Sequence, residues 1–215
     1  AACGHCGPSR VAPETLLPPE GFAVIVPEVG TTAGHLRALY DTVRAGEGGP
    51  EVVAFVARAQ AELGFDPLDA DALKEAGFDA KGGLGVGGPP QAPVVLLPVA
   101  DKEKAEATMK RLAAKGGLAV EGSQAVDGRT VSTLGPTAQS ARAAYAFHAG
   151  YLVVSGGPKG AAAVAATIAR TKEQSAAAWK AFEDVVAKTG SADVRVLLTK
   201  SIAAGADLSL IHISE

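Results

Sequence analysis

The chain has 215 residues, a formal net charge of −3, a hydrophobic share of 47% and an aromatic share of only 5%. That length suffices to bury a core in one large domain or two small ones, and a core so poor in aromatics must be built mainly from Ala, Val and Leu. Charges of both signs are mixed along the chain without a Lys/Arg cluster, so the electrostatic footprint of a nucleic-acid binder is missing. No apolar run approaches the roughly 20 residues that cross a bilayer.

The first element in chain order is Ala1-Ala2-Cys3-Gly4-His5-Cys6, which holds both cysteines. Three chemistries compete for it. Cys3 and Cys6 form a C-x-x-C tetrapeptide like that of protein disulfide isomerases, but that chemistry needs a preceding strand and a following helix to acidify the thiol. Only Ala1 and Ala2 precede it, and Gly7-Pro8-Ser9 follows. Metal binding would have Cys3, His5 and Cys6 as ligands with no fourth nearby, and no metal is assigned. Lipid modification is the third: small residues before Cys3 resemble the end of a bacterial lipoprotein signal. A polar, Gly/Pro-rich stretch from Gly4 to Pro19 then serves as tether, and acylation of Cys3 would anchor the domain to a membrane. The bland alternative is two cysteines in a tail. Residues 1–19 are expected as a disordered tether and 20–200 as an α+β domain.

The folded part opens with Leu16-Leu17-Pro18-Pro19. Phe22–Val29 then reads as a buried strand, rich in β-branched residues. Thr31 or Thr32 is placed to cap a helix whose apolar face is Leu36, Leu39, Tyr40 and Val43. A second helix runs from Pro50 to Leu63 with an inner stripe of Val52, Phe55, Val56, Ala59 and Leu63. Asp66-Pro67 starts a short one that Gly77 ends. After a glycine-rich stretch comes a strand, Val94–Val99, and a helix capped by Asp101 with Ala105, Met109 and Leu112 inward. Asp127-Gly128 is a two-residue hairpin signal, and His148-Ala149-Gly150 marks a second hairpin. Helices are expected at about 159–170 and 175–188, the latter with Trp179, Phe182, Val185 and Val186 inward, and a last strand at 193–199. Hairpin-joined strands with helices between groups predict an antiparallel or mixed sheet with helices mainly on one face. A sub-boundary, or simply a long hairpin, falls at 82–93.

Residues 201–215 read as a truncated end. Within them Asp207–Glu215, DLSLIHISE, resembles a translated sequencing adapter, which puts it outside fold reasoning and makes His212 poor material for a site.

Two glycine motifs look like chemistry. Gly83 to Gly88 satisfies G-x-G-x-x-G, but Pro89-Pro90 follows where a dinucleotide site needs a helix. Ser155-Gly156-Gly157-Pro158-Lys159-Gly160 runs from a strand into a helix. It makes Gly156, Gly157, Lys159 and Gly160 an anion-binding candidate, against the reading of a plain strand-to-helix turn. Asp66, Asp69, Asp71 and Asp79 read as helix caps rather than acid–base or calcium groups. No serine sits in a nucleophile elbow, so no catalytic residue and no cofactor is assigned.

Several turn and packing signatures go together: Leu-Leu-Pro before the first strand, Gly64-Phe65-Asp66-Pro67, Ala76-Gly77-Phe78-Asp79, Leu97-Pro98-Val99 with Asp101, Ala144-Tyr145-Ala146, and Gly150 to Ser155. Over Leu16 to Thr199 they resemble secreted bacterial proteins grouped only as a domain of unknown function, often lipoproteins. The resemblance implies export to the bacterial cell envelope and an α+β fold, with no catalytic residues to carry over. The expected protein is thus a non-catalytic envelope domain, lipid-tethered, that binds or scaffolds. A thiol–disulfide oxidoreductase using Cys3 and Cys6 and a carrier of a small apolar ligand are the alternatives.

Overall fold

The computed structural model describes residues 10–44, 46, 49–137, 140–189 and 192–198. The chain is an α+β fold built on one eight-stranded antiparallel sheet, in the order β4-β5-β6-β7-β3-β2-β1-β8. The strands are β1 (Phe22–Val26), β2 (Leu84–Gly88), β3 (Val94–Pro98), β4 (Val120–Val126), β5 (Arg129–Gly135), β6 (Ala143–His148), β7 (Tyr151–Gly156) and β8 (Arg195–Leu198). The helices are α1 (Val29–Val43), α2 (Gly49–Leu63), α3 (Ala70–Glu75), α4 (Lys102–Lys115), α5 (Gly160–Ala169) and α6 (Lys180–Thr189).

Local chemistry explains most of these boundaries. Asp69 caps α3 by accepting from the Asp71 and Ala72 N–H groups, and Asp101 caps α4 through Lys104 N–H at 3.1 Å. Asp127 and Gly128 take φ of 49° and 74°, the left-handed pair a type I′ hairpin requires. Ala149 and Gly150 do the same between β6 and β7, at 49° and 81°. Residues 82–93 hold β2 and its turn into β3, in the middle of the sheet, so the sheet runs through the proposed sub-boundary. Where a helix was expected from 175, the structure has a short 3-10 turn at Ala176–Ala178, and α6 starts only at Lys180.

Alternation along the strands sends residues to two cores. The larger gathers Ile25, Leu96, Val153, Val164 of α5 and Phe182 of α6 on one face. The smaller gathers Leu134, Tyr145 and Leu152 with Ala105 of α4 and Phe78 on the other. Trp179 and Val186 are half-buried against the first core; the side chain of Val185 lies outside those described.

Helices α1 and α2 depart from expectation. The first turn of α1 is closed by carbonyls of Gly82 and Ala80, which accept from Val29 and Gly30 N–H, so neither threonine caps it. Thr32 is instead buried and donates to Asp193 O. The anticipated inner residues Leu36, Leu39 and Phe55 are 47%, 58% and 71% exposed. Periodicity identifies an apolar face correctly but cannot say whether a sheet is there to receive it.

Thr167 on α5 is 1% exposed, and among the described residues its hydroxyl has no hydrogen-bond partner. A buried hydroxyl without a partner carries its desolvation cost uncompensated, so the near-isosteric Thr167→Val should raise stability by about 1 kcal/mol. Urea unfolding reads it; a midpoint at or below wild type would show that the hydroxyl is satisfied.

Candidate functional site

The site begins with a segment that the sequence placed in the tether. From Arg10 the chain is part of the fold, and the expectation of a tether reaching Pro19 is corrected to that extent; residues 1–9, with Cys3 and Cys6, lie outside the described residues. Pro13, with its φ fixed and no N–H to lose, opens a 3-10 turn at Pro13–Thr15. The turn delivers Leu16 and Leu17 into the larger core, 4% and 0% exposed. Leu17 O accepts from Ala176 N–H, and Leu16 O from the Arg170 guanidinium at 2.7 Å.

Beneath this strap lie Gly85 and Gly87, adjacent glycines on one face of β2. A Cβ on Gly85 would stand 3.1 Å from Pro13 Cβ and 3.2 Å from Leu17 Cδ1. One on Gly87 would stand 2.7 Å from Phe22 O and 3.3 Å from Leu17 Cδ2. The G-x-G-x-x-G run is therefore a strand whose missing side chains make a slot for Leu17, and its glycines cradle no phosphate turn.

Arg10 closes the strap. Its Nη1 donates to Asp79 Oδ2 at 2.6 Å, Nη2 to Val99 O at 2.7 Å and Nε to Gly150 O at 3.3 Å. The guanidinium also lies 5.7 Å from the Tyr151 ring centroid, and the Tyr151 hydroxyl donates to Val11 O at 2.9 Å. Burial raises the Asp79 carboxyl, but the Arg10 hydrogen bond, the Lys81 N–H and the charges of Arg10 and Lys81 outweigh it and hold the group below the ordinary carboxylate value. Between the strap and the ends of β1 and β2 is an open cleft of about 360 Å³, lined by Arg10, Glu14, Lys81 and Arg195 over Ile25 and Pro13. A second, of about 460 Å³, lies between Pro19, Glu20 and Arg170.

A separate polar cluster joins α4, β4 and β6. The Tyr145 hydroxyl donates to Glu121 Oε1 at 2.7 Å, and Lys110 Nζ lies 2.8 Å from Glu106 and 2.9 Å from Glu121. Burial first, then the Glu121 hydrogen bond, pushes the Tyr145 phenol up to about 12. The hydrogen bonds to Glu106 and Glu121 raise Lys110 above the ordinary lysine value. A general base or nucleophile needs the opposite shifts, so this cluster acts as a clasp between helix and sheet.

The raised phenol contributes stability that is fully present below its unfolded value, near 10, and is lost as pH rises through about 12. Tyr145→Phe should cost about 1–2 kcal/mol at neutral pH and flatten that alkaline loss. Urea melts across the alkaline range check it. An undiminished alkaline loss in the variant would place the titrating group elsewhere.

The remaining sequence candidates have local roles. In the 155–160 loop, Gly157 N–H donates to Arg142 O at 2.8 Å and Gly160 N–H to Gly157 O at 3.0 Å. A Cβ on Gly160 would stand 2.7 Å from Ser155 O. Two of the N–H groups that would meet an anion at Gly156, Gly157, Lys159 and Gly160 are thus committed to the turn itself. Ser155 donates to Pro93 O. Asp66 accepts from Leu68 N–H and pairs with Arg37, and Asp69 is a cap. His35 pairs with Asp193. Among the described residues no group of three or more His, Cys, Asp or Glu could hold a metal ion, and no helix is long and apolar enough to cross a membrane.

What sequence reasoning missed is the Arg10–Asp79 pair and the cleft beside it. No protein-family model, curated protein or solved structure matched the chain, so the site is read from its own chemistry.

Proposed function

We propose that this is a non-catalytic domain of the bacterial cell envelope, anchored to a membrane by acylation of Cys3, that works by binding or scaffolding. The observation that carries the reading is Ala1-Ala2-Cys3 lying a short distance from a firmly seated strap. From Cys3 to Arg10 the chain can span at most about 25 Å. Because Arg10 is bonded to Asp79, Val99 and Gly150, an anchor at Cys3 would hold the end of the central strands β3 and β7 near the bilayer.

Mass spectrometry of the mature N-terminus from a bacterial host should find Cys3 acylated. An unmodified Cys3 in a cytosolic fraction would reject the anchor. Insulin reduction that is abolished by Cys3→Ala would instead establish the oxidoreductase reading.

A further inference from the structure

We infer that the edge strand β4 is a self-pairing interface whose partner is a second copy of this chain, the two β4 strands running antiparallel about a two-fold axis at Ser123. This goes beyond the membrane anchor and needs neither Cys3 nor the strap.

Strand β4 lacks the devices that keep sheet edges from pairing. It holds unbroken register with β5 from Val120 to Val126, so no bulge bends it away. Its sequence, VEGSQAV, has no proline and no lysine. Its one charge, Glu121, is drawn over its own sheet by Tyr145 and Lys110. The opposite edge, β8, is only 4 residues long. Outside the β5 ladder, no backbone group of 120–126 bonds to another among the described residues.

Backbone direction sets the register. The Leu134 carbonyl accepts from Arg142 N–H on the β6 side, so it points away from Glu121, its partner in β4. Hydrogen-bonded and open pairs alternate along an antiparallel ladder. The N–H and C=O groups of Glu121, Ser123 and Ala125 therefore point out of the sheet, while those of Val120, Gly122, Gln124 and Val126 face β5. Centred on Ser123, two copies oppose Ser123 to its twin and Glu121 to the partner's Ala125, and each such pair exchanges both hydrogen bonds. On the other face Val120 meets the partner's Val126, in an open pair where side chains lie closest.

Charge and length select this register over its neighbours. Centring on Glu121 would oppose two carboxylates, and centring on Gln124 would set Glu121 against Asp127 of the turn. Centring on Gly122 or Ala125 carries one end of each strand past the other's ladder. With Ser123 at the centre all of β4 is paired, and the two Glu121 carboxylates stand on the order of 13 Å apart, beyond a Debye length. The 7 residues of β4 fall short of the roughly 20–30 a side of a standard interface, so the dimer is weak and reversible.

Sedimentation equilibrium of the folded chain tests it, with a monomer–dimer equilibrium expected in the micromolar to millimolar range. Ser123→Pro removes an outward N–H and leaves the β5 ladder its donors, so that variant should stay monomeric. Ala125→Glu, at an exposed position opposite the partner's Glu121, should weaken the dimer roughly tenfold, and Ala125→Lys should not weaken it. Hydrogen exchange read by NMR reports the register. The amides of Glu121, Ser123 and Ala125 should gain protection as concentration rises, whereas those of Gly122 and Gln124 should be protected throughout. Circular dichroism verifies folding; should Ser123→Pro not fold, the charge variants and the exchange decide. A monomer throughout that range would leave the edge to a foreign strand and overturn self-pairing. So would a dimer that Ala125→Glu leaves as tight as wild type, or one whose outward amides stay unprotected.

Discussion

Leu17→Ala should lower the unfolding free energy by about 3 kcal/mol, measured by urea denaturation. Leu17 is fully buried, and its two methyl carbons sit within 3.3 Å of where side chains on Gly85 and Gly87 would begin. Truncation opens a cavity that the neighbouring strands cannot close, because their spacing is set by the hydrogen bonds of the β1–β2 ladder. Gly87→Val should be worse. Its Cβ would meet Phe22 O at 2.7 Å, a backbone atom held in that ladder, so the clash cannot be relieved by turning a side chain.

Gly85→Ala discriminates slot from strand. Its nearest atoms all belong to side chains, those of Pro13, Leu17 and Leu96. It should therefore destabilise the wild type by about 1–2 kcal/mol and cost clearly less when Leu17 is already Ala. Strict additivity of the two changes would mean that the glycine serves the strand alone and that no slot exists.

This slot shows why part of the fold was legible in the sequence and part was not. Asp69, Asp101 and Asp127-Gly128 act on backbone groups within three residues of themselves, so their chemistry can be read locally, and the structure places them as caps and a turn. Hairpin signals between strands likewise predicted antiparallel pairing. Leu17 and Gly87 are different. Each looks unremarkable in its own segment, a leucine in a Pro-rich leader and a glycine in a loop-like run. Their meaning lies in a contact between segments some seventy positions apart. The same distance hides Arg10 from Asp79, separated by 69 residues.

Helices α1 and α2 illustrate the complementary failure. The spacing of Leu36, Leu39 and Tyr40 correctly announces a helix with an apolar side, yet the buried residues of α1 are Thr32 and Ala33. Burial there is decided by tertiary anchors: Thr32 and His35 engage Asp193 just before β8, and Arg37 engages Asp66 after α2. Those bonds turn the helix to a face that hydrophobic periodicity does not choose. In the candidate site, the acidic residues were read as caps and Asp79 does accept from Lys81 N–H at 3.0 Å. Its second oxygen is what matters for the strap, and nothing adjacent in sequence announces the arginine that occupies it.

Arg10→Met should cost about 2 kcal/mol at neutral pH, and its effect should shrink in acid. Methionine keeps much of the apolar stem but removes the donors to Asp79, Val99 O and Gly150 O. The Asp79 side chain remains 31% exposed, so water can recover part of its solvation, which holds the loss below that of a fully buried pair. The acid dependence follows from the direction of the Asp79 shift. Its folded value lies below its unfolded one, so the stability it contributes is present above the unfolded value, near 4, and disappears as pH falls through the folded value. With Arg10 gone, burial is left without its main opponent, the folded value rises towards or past the unfolded one, and that acid-sensitive part is absent from the start. In urea melts from neutral pH down into the acid range, the gap between wild type and variant should therefore narrow as pH falls from about 4 through the lowered folded value, leaving the part that the Val99 and Gly150 carbonyls contribute. Parallel curves with a constant gap would show that Arg10 holds the strap through the carbonyls of Val99 and Gly150 alone, with its bond to Asp79 contributing nothing to stability.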